Sequence, residues 1–191
     1  FLNIIFFIFL NRILLLYQIL FCDTIMDTNL KDTIKKMCKA YGIFLTKKHG
    51  QNFLCSESVL QRIVSEAHIE PHETVLEVGS GFGFMTSVLS RKAKKVIAVE
   101  IDKKIVDVLK AQMAGYKNVE IIHGDILNLQ TDSPTSPTYL SEGIEGGYKV
   151  VANLPYNITS KFLKKFLTLQ NKPDSMTLLL QKEVAERISA K

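Results

Sequence analysis

The sequence predicts an α/β protein with a doubly wound, mostly parallel sheet. Three observations carry that expectation. From residue 74 onward, short β-branched runs alternate with helix-length amphipathic segments. Those runs are apolar on both faces, as strands covered by helices on either side must be. A glycine-rich turn, Gly79-Ser80-Gly81-Phe82-Gly83, stands where the first strand passes into a helix.

The elements follow in order. Lys31 to Tyr41 sets Lys31, Lys35, Lys36 and Lys39 against Asp32, a spacing that predicts a helix with a basic face. Thr46 to Leu54 reads as a polar, basic loop. Ser56 is placed to cap a helix that runs to about His68, with Val59, Leu60, Ile63 and Val64 on its apolar side, before Pro71 breaks it. Strands are expected at Thr74–Val78, Lys95–Ile101, Val119–Ile122, Tyr148–Ala152 and Met176–Leu180. Between them, helices are expected at Phe84–Arg91, Lys103–Met113 and Thr159–Thr168, with another from about Lys182. Thr131–Gly147, with Pro134, Pro137 and three glycines, reads as a long surface loop. Five strands with an open edge predict a sheet that is incomplete at its carboxyl end.

A chain of 191 residues can bury one sizeable core. Lys and Arg exceed Asp and Glu by 24 to 19, a modest positive excess that suits a polyanionic partner without requiring one. Cys22, Cys38 and Cys55 form neither a CxxC pair nor a paired framework, which fits reduced thiols in a cytoplasmic protein. The stretch Phe1 to Cys22 holds a single charge, Arg12. It is long enough for a membrane span but lacks the basic start and small-residue cleavage site of a signal peptide. Met26 opens an ordinary polar sequence. The expectation is therefore an apolar leader over residues 1–25 outside the mature fold, with a catalytic domain over 26–191, and no membrane contact unless the leader is a genuine anchor.

The chemistry gathers at strand ends. Gly79, Gly81 and Gly83 let the backbone take positive φ and approach a ligand closely, although a tight turn without a ligand would use them too. The spacing is GxGxG, and Phe84 stands where a dinucleotide fingerprint has glycine, which counts against a nicotinamide dehydrogenase. Glu100, at the end of the second strand, is placed to accept from both ribose hydroxyls of a nucleoside cofactor, or else is an exposed strand-end carboxylate. Asp125, after the third strand, can accept from an adenine amino group with Ile126 against the ring, or can cap a helix.

Asn153-Leu154-Pro155-Tyr156 closes the fourth strand. An adenine N6 amine is a poor nucleophile because its lone pair is delocalised into the ring. Two acceptors, the Asn153 side-chain oxygen and the Leu154 carbonyl, would favour a pyramidal amine as charge develops. Pro155 stiffens the turn, and Tyr156 offers a face on which a base can stack. The alternative is a Pro-terminated strand with a core tyrosine. His49 and His123 lack partners at metal spacing and read as loop residues, so no metal is expected. Lys161, Lys164 and Lys165 read as phosphate contacts or as a solvated face.

Taken together, these residues resemble the bacterial small-subunit rRNA adenine N6,N6-dimethyltransferase family. The matching blocks are His49 to Leu54, Val75 to Gly83, Val99 to Asp102, Gly124-Asp125, Asn153 to Thr159 and Leu180 to Arg187. The resemblance implies a Rossmann-like, class I S-adenosylmethionine-dependent methyltransferase fold. It implies S-adenosylmethionine as methyl donor and, as acceptors, two adjacent adenines in a hairpin near the 3′ end of small-subunit rRNA, in a pre-ribosomal particle. By the same resemblance Asn52, Leu54, Gly79, Glu100, Asp125 and Asn153 line the cofactor site. Asn153, Leu154, Pro155 and Tyr156 hold the target base. The family's final strands and small helical carboxyl domain are absent, and the apolar leader has no counterpart. A monomer is expected. The competing readings are a large-subunit rRNA methyltransferase of the macrolide-resistance type and an rRNA-binding assembly factor without catalysis; the block Leu180 to Val184 favours the small-subunit type.

Overall fold

The fold was read from a computed structural model that describes residues 3–9, 18–19, 28–43, 56–129, 147–155 and 157–189. Its strands are β1 (Asn3–Phe9), β2 (Gln18–Ile19), β3 (Thr74–Val78), β4 (Lys95–Glu100), β5 (Val119–His123), β6 (Tyr148–Asn153) and β7 (Ser175–Gln181). Its helices are α1 (Thr28–Ala40), α2 (Glu57–Glu66), α3 (Phe84–Ser90), α4 (Lys103–Met113), α5 (Thr159–Thr168) and α6 (Lys182–Ser189). The strands form one sheet in the order β2-β1-β7-β6-β3-β4-β5. The five strands from β3 to β7 are mutually parallel, as expected.

Sequence order reverses at β3. Its neighbours are β4 on one side and β6 on the other, in register from Thr74 to Val78. An open parallel sheet has a crevice at such a reversal, beyond the carboxyl ends of the strands. Gly79 and Asn153 both emerge there.

Burial explains why these segments are strands. Every residue of β3 is buried, so both of its faces are covered by packed helices, and its residues are apolar apart from Thr74 and Glu77. On one face Leu76, Val78, Val150, Ala152 and Leu178 pack with Phe162 and Phe166 of α5, whose rings stack with centroids 4.3 Å apart. On the other, Val75, Val96 and Val151 pack with Leu60, Ile63 and Val64 of α2 and with Met85 and Leu89 of α3. Ser56 caps α2 as its sequence predicts, with extended backbone and its hydroxyl accepting from the Val59 N–H. Asp102 caps α4, accepting from the N–H groups of Lys104 and Ile105.

The outer edge differs from expectation. The sequence predicts an open edge beyond the fifth strand and an apolar leader apart from the fold. Instead, β1 lies antiparallel along β7, in register from Asn3 opposite Gln181 to Phe9 opposite Ser175. A bare β7 would present a row of unpaired N–H and C=O groups, and an apolar run without proline is suited to pair with them. His123 also departs from expectation. It ends β5 rather than lying in a loop, and its Nε2 sits 3.2 Å from the Ile101 carbonyl oxygen. The expected loop over Thr131–Gly147 lies outside the described residues except for Gly147.

Candidate cofactor and base site

The glycine turn is stitched to the end of β4. Val99 O accepts from the N–H groups of Gly79, at 2.9 Å, and Ser80, at 3.3 Å. Gly79, Gly81 and Gly83 all take positive φ, at 75°, 56° and 85°. Gly83 is also required for reasons of space, whereas at Gly79 the backbone angle alone decides. Val78 pairs with Ala152, so the glycine bend and the Asn-Leu-Pro turn leave adjacent strand ends, and a Cβ on Gly79 would lie at an ordinary 3.6 Å from the Asn153 carbonyl oxygen. A Cβ on Gly83 would stand 2.7 Å from Leu109 Cδ1 and 3.1 Å from Met113 Cε, because α3 starts hard against α4. Gly83→Ala is therefore expected to cost about 2 kcal/mol from the left-handed angle and the overlap together. Thermal denaturation should show this as a fall of roughly 5 °C in Tm.

Glu100 is neither exposed nor idle. It is 5% exposed, and its Oε2 accepts from the Gly81 N–H at 2.9 Å. Its Oε1 accepts from the N–H groups of Ile101 at 2.9 Å and Asp102 at 3.0 Å. The carboxylate thus braces the glycine turn against the β4 terminus, a role its sequence position did not suggest. A carboxylate offers about four acceptor positions, so three donors leave one on Oε2 for a ligand hydroxyl.

Asp125 follows β5 by two residues and takes the capping role read for it. Its Oδ1 accepts from the Leu127 N–H at 2.9 Å and its Oδ2 from the Asn128 amide at 3.1 Å. Its carbonyl receives the N–H groups of Asn128 and Leu129, closing a single helical turn. Ile126 beneath it is buried in the core. Asp125 caps this turn, and each oxygen still has an acceptor position to spare.

Asn153 ends β6 opposite Leu179 of β7. Leu154 is buried, and the Pro155 carbonyl accepts from the Ile158 N–H and the Thr159 hydroxyl, which fastens the turn to the start of α5. Asn52, Leu54 and Tyr156 lie outside the described residues.

Two further residues lie at the site, one not singled out in the sequence and one that departs from its expected role. Glu77 lies two positions before Gly79 and is fully buried, facing the side of the sheet where Thr86 of α3 sits. Neither of its oxygens, nor the Thr86 hydroxyl, has a hydrogen-bond partner among the described residues. Burial lifts its carboxyl from 4.5 to about 8; the nearby Thr86 hydroxyl tempers the shift, and the Glu100 carboxylate adds to it. A signal existed, since a strand buried on both faces leaves its one acid nowhere exposed to go. Lys165 is the second. Neither phosphate contact nor solvated face, its ammonium turns inward and donates to the carbonyls of Ile126 and Leu127, at 3.0 Å each, and of Leu129.

The residues present fit a nucleoside cofactor with an amino-acid tail. Gly79 and Gly81 hold the turn in the left-handed backbone that lets a ligand approach closely, and acceptors follow the ends of β4 and β5 where hydroxyls and a base amine would lie.

Residues 44–191 match the family model described as "Ribosomal RNA adenine dimethylase". The chain is 45% identical over 157 residues to the "Ribosomal RNA small subunit methyltransferase A" of Dehalococcoides mccartyi, covering 82% of this chain and 52% of that protein. It thus spans about half the length of the curated relatives it matches. Among solved structures, a dimethyladenosine transferase from Plasmodium falciparum superposes with a TM-score of 0.61 at 31% identity, over 73% of this chain and 47% of that one. The 23S rRNA methyltransferase ErmE superposes with a TM-score of 0.60 at 28% identity, over 71% and 50%.

Proposed function

Because the chain belongs to the ribosomal RNA adenine dimethylase family, we propose that it forms the catalytic domain of an S-adenosylmethionine-dependent rRNA (adenine-N6,N6-)-dimethyltransferase. Its substrate is two adjacent adenines in a hairpin near the 3′ end of small-subunit rRNA, modified in a pre-ribosomal particle during ribosome biogenesis. The protein acts as a cytoplasmic monomer. The observation that carries the reading is the pairing of β3 with β6, Val78 opposite Ala152, which brings the Gly79 bend and the Asn153 turn out of adjacent strand ends at the crevice. Among the described residues no helix is long and apolar enough to cross a membrane.

In this reading Gly79 and Asn153 hold the amino-acid end of the cofactor, Glu100 its ribose and Asp125 its adenine, with Asn52 and Leu54 completing the site. The bound cofactor supplies a methyl group on a sulfonium, which is already a good leaving group. The protein's task is then positioning and electrostatics. Asn153 Oδ1 and the Leu154 carbonyl accept the amine's hydrogens, so that its lone pair turns out of the ring. Pro155 holds the turn rigid, Tyr156 stacks the target base, and water is kept from the crevice by the packed turn. No metal is invoked.

The deciding experiment supplies the full-length gene to a strain lacking both rRNA modifications and maps dimethyladenine by primer extension. Label in the small subunit supports the reading. Label confined to the large subunit would favour the macrolide-resistance type, to which the ErmE superposition gives some weight. An assembly factor without catalysis would leave both unlabelled.

Glu100→Ala strands three backbone N–H groups as well as removing a ribose acceptor. Cofactor affinity measured by calorimetry is expected to fall by about ten- to a hundredfold. Tm should fall with it, because the brace on the glycine turn is lost.

A further inference from the structure

Helix α5 joins the two halves of the crevice. Its first turn is fastened to the Pro155 carbonyl by Ile158 and Thr159. Two turns further on, Lys165 reaches the far side of the site, where its ammonium meets three carbonyls of the turn that Asp125 opens. An ammonium has three N–H donors, and all three are matched here. Those carbonyls lie at the carboxyl end of a single helical turn, so a cation there gives charge-assisted hydrogen bonds at the negative end of the turn. With Ile126 and Leu129 buried beneath, the turn is held from below by apolar packing and from the side by one lysine.

We propose that Lys165 is a positioning residue for cofactor selectivity: by clamping the Asp125 turn to α5, it aims the Asp125 carboxylate at the 6-amino group of the cofactor's purine. The proposal rests on the reading of Asp125 as that amine's acceptor. Without the clamp the core still holds Ile126, but the carboxylate's direction is set only by its own bonds to Leu127 and Asn128, which move with the turn.

The test compares dissociation constants, in the full-length protein, for S-adenosylhomocysteine and its desamino analogue, in which the 6-amino group is replaced by hydrogen. For the unaltered protein the amino form is expected to bind at least about tenfold more tightly, the range of one hydrogen bond to a charged group. In Lys165→Met the two constants should converge to within about threefold. Partial unfolding weakens both ligands by the same factor, so the ratio reports aim rather than stability. If Lys165→Met does not fold, Lys165→Gln, which keeps two donors without the charge, is expected to lower the ratio at least threefold. Lys164→Met, altered at an exposed neighbour, should leave it unchanged. A ratio in Lys165→Met or Lys165→Gln equal to that of the unaltered protein overturns the clamp and leaves Asp125's role standing. No preference in the unaltered protein overturns both.

Discussion

Asn153→Ala is expected to lower the methylation rate by about a hundred- to a thousandfold while leaving the fold intact. The magnitude is that of removing one preorganised hydrogen-bonding group from a water-poor site where charge develops. Asn153 is the last residue of β6, held in parallel register with Leu179 on one side and following Ala152, which pairs with Val78 of β3 on the other. Its backbone is thus fixed by the sheet, and alanine at a strand end disturbs that little. What goes is the side-chain acceptor for the amine. Asn153→Asp keeps an acceptor and should recover about tenfold of the loss. Single-turnover rates at saturating cofactor, with calorimetric titration alongside, separate chemistry from binding. A rate within tenfold of normal would remove Asn153 from the catalytic step.

The second large effect concerns stability and its pH dependence. Unfolded, the Glu77 carboxyl titrates near 4.5; folded, burial moves it to about 8. Between those values the folded chain holds a proton that the unfolded chain has lost, so stability falls as pH rises from 4.5 and levels off above 8. Each pH unit in that window weighs about 1.4 kcal/mol, so at pH 7 the cost is on the order of 3 kcal/mol. Glu100, at the end of β4, is the charged group that faces Glu77; α3 presents Thr86, and the register neighbours Ala98 and Val151 are apolar. Glu77→Gln keeps the shape and removes the titration. It is expected to stabilise the protein by about 3 kcal/mol at pH 7, and to leave stability unchanged at pH 4, where both forms are neutral. Urea unfolding across pH 4 to 8 checks this, and parallel pH profiles for the two proteins would show that Glu77 is charged in the fold.

Residues that act through local rules were legible in the sequence. The bounds of β3, α4 and α5 are those predicted, because β-branched runs and helical periodicity report burial directly. The cap at Ser56 and the left-handed glycines follow from the chemistry of single residues. The placing of Glu100 and Asp125 at strand ends was legible too, but not what holds them. Glu100 braces a turn that lies 19 residues away in the chain, and no local pattern encodes that bond.

What the sequence determined by itself was the set of parts: five parallel strands, the turns at their ends, and the residue types that a nucleoside and a base amine require. Tertiary structure alone decided how those parts meet. It turned Lys165 from the solvent into three carbonyls 36 to 39 residues away, buried Glu77 without a hydrogen-bond partner among the described residues, and laid the apolar start along β7. The reason is physical. Periodicity records whether a side chain faces water or core, whereas the partner a polar group finds depends on which distant backbone the packed helices bring within about 3 Å of it.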